Sequence, residues 1–159
     1  NFIGGSAGDT ITGTGGANIL NGGGGADIIT GAAGSDTMYG GAGNDTFNYD
    51  VYTQSSPSAA GTSDTIMDFE VGDRIDLIGI DAIAATGIND TFVFTAGGGT
   101  GAFTAAGQLR FTQVDTDADL VADSTMVQAN IGGANGLGSD FDVLLKGYTG
   151  TLDTANFLF

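Results

Sequence analysis

The sequence predicts an all-β fold in two stretches: parallel coils of short strands over residues 1–48, then a β cap over residues 49–159. Three observations predict it: a strict nine-residue repeat near the start, acidic residues that are almost all aspartate, and strand-length apolar runs bounded by turn residues in the remainder.

The repeat comes first. From Gly4 the chain reads GGSAGDTIT, GTGGANILN, GGGGADIIT, GAAGSDTMY and GGAGNDTFN, five blocks in phase as far as Asn48. Each block opens on glycine; its sixth residue is Asp9, Asn18, Asp27, Asp36 or Asp45, and its eighth is Ile11, Leu20, Ile29, Met38 or Phe47. The preceding NFI fits positions seven to nine of a further block with Phe2 in the apolar slot, as expected of a cut within a longer protein. Side chains alternate along a strand, so three residues with an apolar middle make a minimal strand with one face inward. The other six must turn the chain, and glycine at positions one, two and four supplies positive φ and close backbone approach. Two blocks then make one coil with a strand on each side, and coils stack about 4.8 Å apart in parallel register. Ile11, Ile29 and Phe47 form one inner ladder; Phe2, Leu20 and Met38 form the facing one.

The same stacking gathers acid. Asp9, Asp27 and Asp45 line one edge of the coil, Asn18 and Asp36 the other. The whole chain carries 3 Lys and Arg against 19 Asp and Glu, a formal net charge of -16, and only Glu70 is a glutamate. Glutamate suits helices and aspartate does not, so this is loop acid. Such a surface repels nucleic acid and anionic membranes and attracts cations. With no Cys and no His, thiolate and imidazole sites are excluded, leaving oxygen ligands suited to calcium or magnesium. Aspartates stacked at coil spacing repel unless a cation lies between them, and calcium takes six to eight oxygens, which carboxylates and the carbonyls of glycine turns provide.

These blocks resemble the glycine-rich nonapeptide of the repeats-in-toxin (RTX, hemolysin-type) family, G-G-x-G-x-D-x-U-x with U a large apolar residue. GGGGADIIT and GGAGNDTFN satisfy every position. The resemblance implies a parallel β-roll with calcium between loops on both edges, held by Asp9, Asn18, Asp27, Asp36 and Asp45 with the turn glycines Gly23, Gly25, Gly41 and Gly43. Pairing loops one with three, three with five and two with four gives about three complete sites, with further ones at the ends depending on neighbours. Ala7, Thr14 and Ala32 depart from the pattern in loops, where strain is expected, and Asn18 keeps an oxygen but loses a charge.

Beyond Asn48 the segment to Gly61, with Pro57, reads as a loop, and SDTIMDFEVGDRIDLIGI reads as two strands joined in a hairpin at Val71 to Asp73. Further strands are expected at 91–95, 107–113, 125–131, 141–148 and 156–159, with a short helical turn near Asp81 to Ala85 and a glycine-rich loop at 97–101. An open roll exposes strand edges, so the following β segment is expected to cap it. The order GNDTFNY, loop, SDTIMDFEVGDRIDL, together with the ending FDVLLKGYTGTLDTANFLF, is similar to the C-terminal domain of serralysin-type secreted metalloproteases and to the R-modules of bacterial mannuronan epimerases. That resemblance implies a C-terminal β-sandwich-like cap continuing the roll, and a last calcium site closed with Asp64 and Asp68; the residues alone also fit solvated strand-end acids. DTDADLVAD at 115–123 spaces Asp115, Asp117, Asp119 and Asp123 like a calcium loop, but Leu120 and Met126 stand where an EF-hand needs Gly and Glu. A separate calcium site and an exposed acidic turn both remain open there.

No run of 18 apolar residues exists, so no membrane span is expected, and no signal peptide opens the chain. Without His or Cys there is no catalytic triad or zinc helix, and no carboxylate pair stands apart from the calcium ligands, so a non-catalytic module is expected, any enzyme lying upstream of Asn1. The RTX resemblance implies a chain secreted by a Gram-negative type of bacterium through type I machinery, folding on extracellular calcium, with NFLF serving as part of an uncleaved export signal or simply completing a last strand. The alternative is a calcium-dependent polysaccharide-binding or surface-layer assembly module, with Tyr39, Tyr49 and Tyr52 as an aromatic platform and Arg74, Arg110 and Lys146 as the available cations.

Overall fold

The computed structural model describes residues 1–55, 63–83, 90–95, 102–132 and 138–159. Its strands are β1 (Phe2–Ile3), β2 (Thr10–Thr12), β3 (Ile19–Gly24), β4 (Ile28–Thr30), β5 (Thr37–Ala42), β6 (Thr46–Asn48), β7 (Asp64–Ile66), β8 (Arg74–Asp76), β9 (Val93–Phe94), β10 (Gln108–Val114), β11 (Ser124–Asn130), β12 (Phe141–Leu145) and β13 (Phe157–Leu158). Two short 3₁₀ turns, Tyr52–Ser55 and Thr154–Asn156, complete the described elements.

Successive coils send their strands alternately to two facing sheets. One has eight strands in the order β1-β3-β5-β7-β12-β11-β10-β9, the other five in the order β13-β8-β6-β4-β2. Every pair in the smaller sheet is parallel, as are the pairs from β1 through β12 in the larger. The register sets Phe2 beside Leu20, Leu20 beside Met38, and Met38 beside Ile66. On the facing sheet Ile11, Ile29, Phe47, Ile75 and Phe157 follow one another. Apart from Phe2 at the open end, these ladder residues are buried. Burying each such side chain stabilises the fold by about 1.5–3 kcal/mol.

The ladders run past Asn48 because the repeat does. Asp64 and Asp73 are nine residues apart and each begins an Asp-x-Ile triplet, so DTIMDFEVGDRI makes a fourth coil from which most glycines have been lost. The expected hairpin at Val71 to Asp73 is therefore corrected: β7 and β8 lie in different sheets, each paired in parallel with the preceding coil. Tight turns and alternating apolar residues are common to a hairpin and to half a coil; only the nine-residue spacing separates them.

Past the fourth coil the larger sheet changes character. β12 joins β7 in parallel, then β11 and β10 continue as an antiparallel meander. β13 covers the edge of β8 in the smaller sheet. Both edges of the last coil are thereby paired, as expected of a cap, and no strand edge is left there to recruit another chain. The core is continuous between the sheets: Leu109, Val127, Ala129, Phe141 and Val143 join the roll ladders, and Phe94 of β9 meets Phe157 of β13 at 5.4 Å between ring centroids. The expected strands at 91–95, 107–113, 125–131, 141–148 and 156–159 correspond to β9 through β13. Residues 81–83 form no helix, the rest of that expected turn and the 97–101 loop lie outside the described residues, and the loop after Asn48 opens with the turn Tyr52–Ser55.

Candidate metal centre

Each half-coil turn delivers its sixth residue to an edge just before a strand begins, and parallel stacking superposes these residues. The hydrogen bonds fix the columns. On one edge Asp27 Oδ1 accepts from Asp9 N (2.6 Å), Asp45 Oδ1 from Asp27 N (2.8 Å) and Asp73 Oδ1 from Asp45 N (2.9 Å). On the other, Asp36 Oδ1 accepts from Asn18 N and Asp64 Oδ1 from Asp36 N, both at 2.8 Å. Each bond uses one carboxylate oxygen to hold the coil below and leaves the other.

Those second oxygens identify the site. Oδ2 of Asp27, Asp36, Asp45 and Asp64 is buried with no hydrogen-bond partner. Leaving a buried carboxylate oxygen unsatisfied costs on the order of 1–3 kcal/mol or more, and here the deficit recurs at every inner position of both columns. A repeated, aligned deficit of acceptors is what an oxygen-loving cation fills. The end residues differ: Asp9 Oδ2 accepts from Gly5 N, and Asn18 Oδ1 from Thr14 N, each within its own turn.

Glycine keeps the space open. A Cβ on Gly22, Gly31 or Gly40 would collide with Oδ2 of Asp27, Asp36 or Asp45, respectively, five residues on. At the second and fourth positions the requirement is conformational: Gly23, Gly25, Gly41 and Gly43 have φ of 102, 107, 93 and 147°. Their stacking places the Gly23 and Gly25 carbonyl oxygens against Gly41 and Gly43 of the next turn, in the gap between coils. Ala32 takes φ 70° at a second position, the strain expected of it, whereas Ala7 and Thr14 are not in the left-handed region.

Burial makes the columns costly when charged. Desolvation raises the pKa of Asp36 against the lowering effect of the Asn18 N–H. It raises Asp45 as well, opposed by the Asp27 N–H and reinforced by the charges of Asp27, Asp68 and Glu70. Asp73 is raised mainly by desolvation, and Asp64, fully buried, is pushed to about 7 by the same cause.

Asp64 and Asp68 were expected to close one site together, but the structure places them on opposite edges. Asp64 stacks on Asp36, while Asp68 stands at the first position of its turn, where earlier coils have glycine, and its carboxylate accepts from Gly40 N (2.8 Å) and Gly41 N (3.0 Å) beside the Asp45 column. Asp73, which sequence reasoning missed, ends that column, its Oδ2 accepting from Glu70 N at 2.9 Å. The nine-residue spacing from Asp64 was the signal that could have found it.

In the acidic turn, carboxylate oxygens of Asp115, Asp117 and Asp123 lie within 4.8 Å of one another, and Asp119 is not among them. Asp115 accepts from Ala118 N and Leu120 N, both at 2.7 Å, and Lys146 stands 3.7 Å from Asp123. Desolvation is the largest single influence on Asp115 and raises its pKa, but the bonds from Leu120, Ala118 and Asp117 together outweigh it and hold the pKa below its ordinary value. Backbone N–H groups of the turn engage Asp115 and Asp117, and the Thr116 and Ser124 hydroxyls engage Asp123. Of the expected tyrosine platform, Tyr49 is only 1% exposed and cannot stack on a sugar.

Residues 3–38 and 26–50 match the family model described as RTX calcium-binding nonapeptide repeat (4 copies). No curated protein matches the chain. Among solved structures, the chain is similar to the AlgE6R3 subunit from the Azotobacter vinelandii mannuronan C5-epimerase, with 26% identity over 98% of this chain and 80% of that one at a TM-score of 0.55. The AlgE6R2 subunit of the same enzyme matches at 27% identity over 94% of this chain and 91% of that one, with a TM-score of 0.45. The repeat spacing, the doubly columnar aspartates and the β-roll all agree with that family model, and residues 3–50 are the part of the chain that matches RTX calcium-binding nonapeptide repeats.

Proposed function

We propose that this chain is the calcium-responsive C-terminal module of a larger secreted protein, which folds when it meets extracellular calcium. The observation that carries the reading is the pair of aspartate columns whose buried Oδ2 atoms lack partners. In this reading Asp9, Asn18, Asp27, Asp36, Asp45, Asp64, Asp68 and Asp73 supply side-chain oxygens, and Gly23, Gly25, Gly41 and Gly43 supply turn carbonyls. The division into a calcium-binding roll at 1–48 and a cap at 49–159 belongs to the same proposal.

Calcium, when bound, neutralises the columns and completes the coordination of oxygens the backbone cannot satisfy. The chain's own residues do the rest: position-six N–H groups align the carboxylates, the glycines leave room, and the ladders exclude water. At calcium about tenfold above its dissociation constant, each site adds about 1.4 kcal/mol, or about 4 kcal/mol over three independent sites. That is comparable with the whole stability of a marginal domain. In the low calcium of a cytoplasm the columns repel and the chain stays loose enough to thread a type I export channel, C-terminus first. The same reading makes the module non-catalytic and extracellular, of Gram-negative bacterial type.

Far-UV circular dichroism with calcium and then with chelator tests this. The β signal is expected only with calcium. A compact, cooperatively folded chain at low ionic strength and without divalent ions overturns the reading.

The likeness to a subunit of a mannuronan epimerase favours one addition, a calcium-dependent polysaccharide-binding role. Arg74 is exposed beside the calcium edge, and Tyr52 and Tyr39 remain partly accessible. Titrating uronate and neutral oligosaccharides into calcium-loaded protein should give saturable shifts at these residues; their absence removes this role and leaves the folding role intact.

A further inference from the structure

Tyr49 occupies the first position of the nonapeptide that should follow Asn48, the position held by Gly22, Gly31 and Gly40 in the regular turns. Its backbone keeps the pattern: Tyr49 N donates to Asp76 O at 3.0 Å, as Gly4 N does to Asn21 O and Gly13 N to Thr30 O one coil on. In those turns the first position lies five residues before the aspartate and has no room for a side chain, because a Cβ would meet its Oδ2. Here the next aspartate on that edge is Asp64, fifteen residues on, and a tyrosine stands where the regular turns have glycine.

The side chain is fixed in that space. Its ring is 1% exposed and packs edge-on against Phe141, with centroids 4.9 Å apart and planes at 84°. The hydroxyl is buried without a hydrogen-bond partner of its own, as are Asp64 Oδ2 and Asp36 Oδ2. Burial pushes its pKa well up, and the Asp64 carboxylate and the Asp36 charge act on it in the same direction. Ser55 Oγ accepts from Asp64 N at 2.7 Å, so the aspartate backbone is also held from the segment that Tyr49 begins.

We propose that Tyr49 is a positioning residue for the last carboxylate pair on this edge, Asp36 and Asp64, its buried, unpartnered hydroxyl being the donor available to Asp64 for orienting the pair toward a cation. This rests on the calcium reading above. A donor fixed behind a ligating carboxylate restricts its rotation, and removing such a partner costs about 10–100-fold in metal affinity. Deleting the Tyr49 hydroxyl is expected to leave the Asp9–Asp27–Asp45–Asp73 edge, where Tyr148 packs on Phe69, unaffected.

The test uses Tyr49→Phe in the full chain, which keeps the ring on Phe141 and deletes only the hydroxyl. Calorimetric calcium titration is expected to show one binding step weakened about 10–100-fold and the others unchanged. Terbium excited through tyrosine supplies a second readout: with no tryptophan present, Tyr49 should sensitise emission from the Asp36–Asp64 site, and Asp64→Asn should lose that component. If the Phe variant does not fold, a slowly exchanging Tyr49 hydroxyl proton with a nuclear Overhauser contact to Asp64 in the calcium-loaded unaltered chain still supports the assignment, and its absence overturns it. Equal weakening of every step, or no change in any, also overturns it. If the unaltered chain binds calcium normally, these failures remove only the role of Tyr49; if it binds none, the calcium reading falls as well.

Discussion

Ala32 holds φ 70° where neighbouring turns use glycine, a left-handed conformation that costs an L-residue roughly 1–2 kcal/mol. Ala32→Gly relieves that strain at the cost of extra freedom in the unfolded chain, so a gain of about 1 kcal/mol or less is expected in calcium-loaded denaturant unfolding. Asp27 and Asn18 occupy the same repeat position with different stakes. Asp27 is buried, anchors Asp9 N and presents an unpartnered oxygen between two coils. Asn18 is only partly buried, and its side-chain oxygen is already engaged by Thr14 N. Asp27→Ala should therefore raise the calcium concentration for half-folding by about tenfold or more, Asn18→Ala by about fivefold or less, as followed by circular dichroism. Equal effects would argue against a shared Asp27.

At the scale of elements, the five regular half-coils were legible because a single period fixed glycine, aspartate and apolar positions together, and the paired ladders follow from it. The fourth coil was not legible: Asp68, Phe69 and Glu70 replace the small residues of its turn, and apolar alternation alone reads as a hairpin. The columns were legible for the same reason as the ladders, but Asp73 and the separation of Asp64 from Asp68 depend on which sheet each strand joins. The cap strands were found in roughly the right places, yet their order, parallel to the roll on one side and antiparallel on the other, is decided by long-range pairing. Ile75 tests the fourth coil directly, since it lies fully buried between Phe47 and Phe157. Ile75→Ala should cost about 2–5 kcal/mol in calcium-loaded unfolding, whereas a residue in an exposed hairpin would cost far less.

For the whole molecule, the raised pKa values set how calcium and pH interact. The folded-state pKa of Asp64 is about 7 against an ordinary value of 3.8, so over that window the metal-free folded chain binds protons that the unfolded chain does not. Its burial is a destabilising contribution present in full above pH 7 and progressively removed as pH falls through 7 toward 4. Asp36, Asp45 and Asp73 shift in the same direction. Protons and calcium compete for these oxygens, so affinity at the Asp36–Asp64 site should be about tenfold weaker at pH 6 than at pH 8, measured by calorimetry at constant ionic strength. An affinity independent of pH would contradict the burial of Asp64. The bonds between regular coils join residues eighteen apart, twice the nonapeptide. Parity therefore governs how the gene for such a chain can change length: deleting two neighbouring nonapeptides shortens the stack and leaves every survivor facing its former side, whereas deleting one sends all that follows to the opposite sheet, transposing the cap's two docking strands.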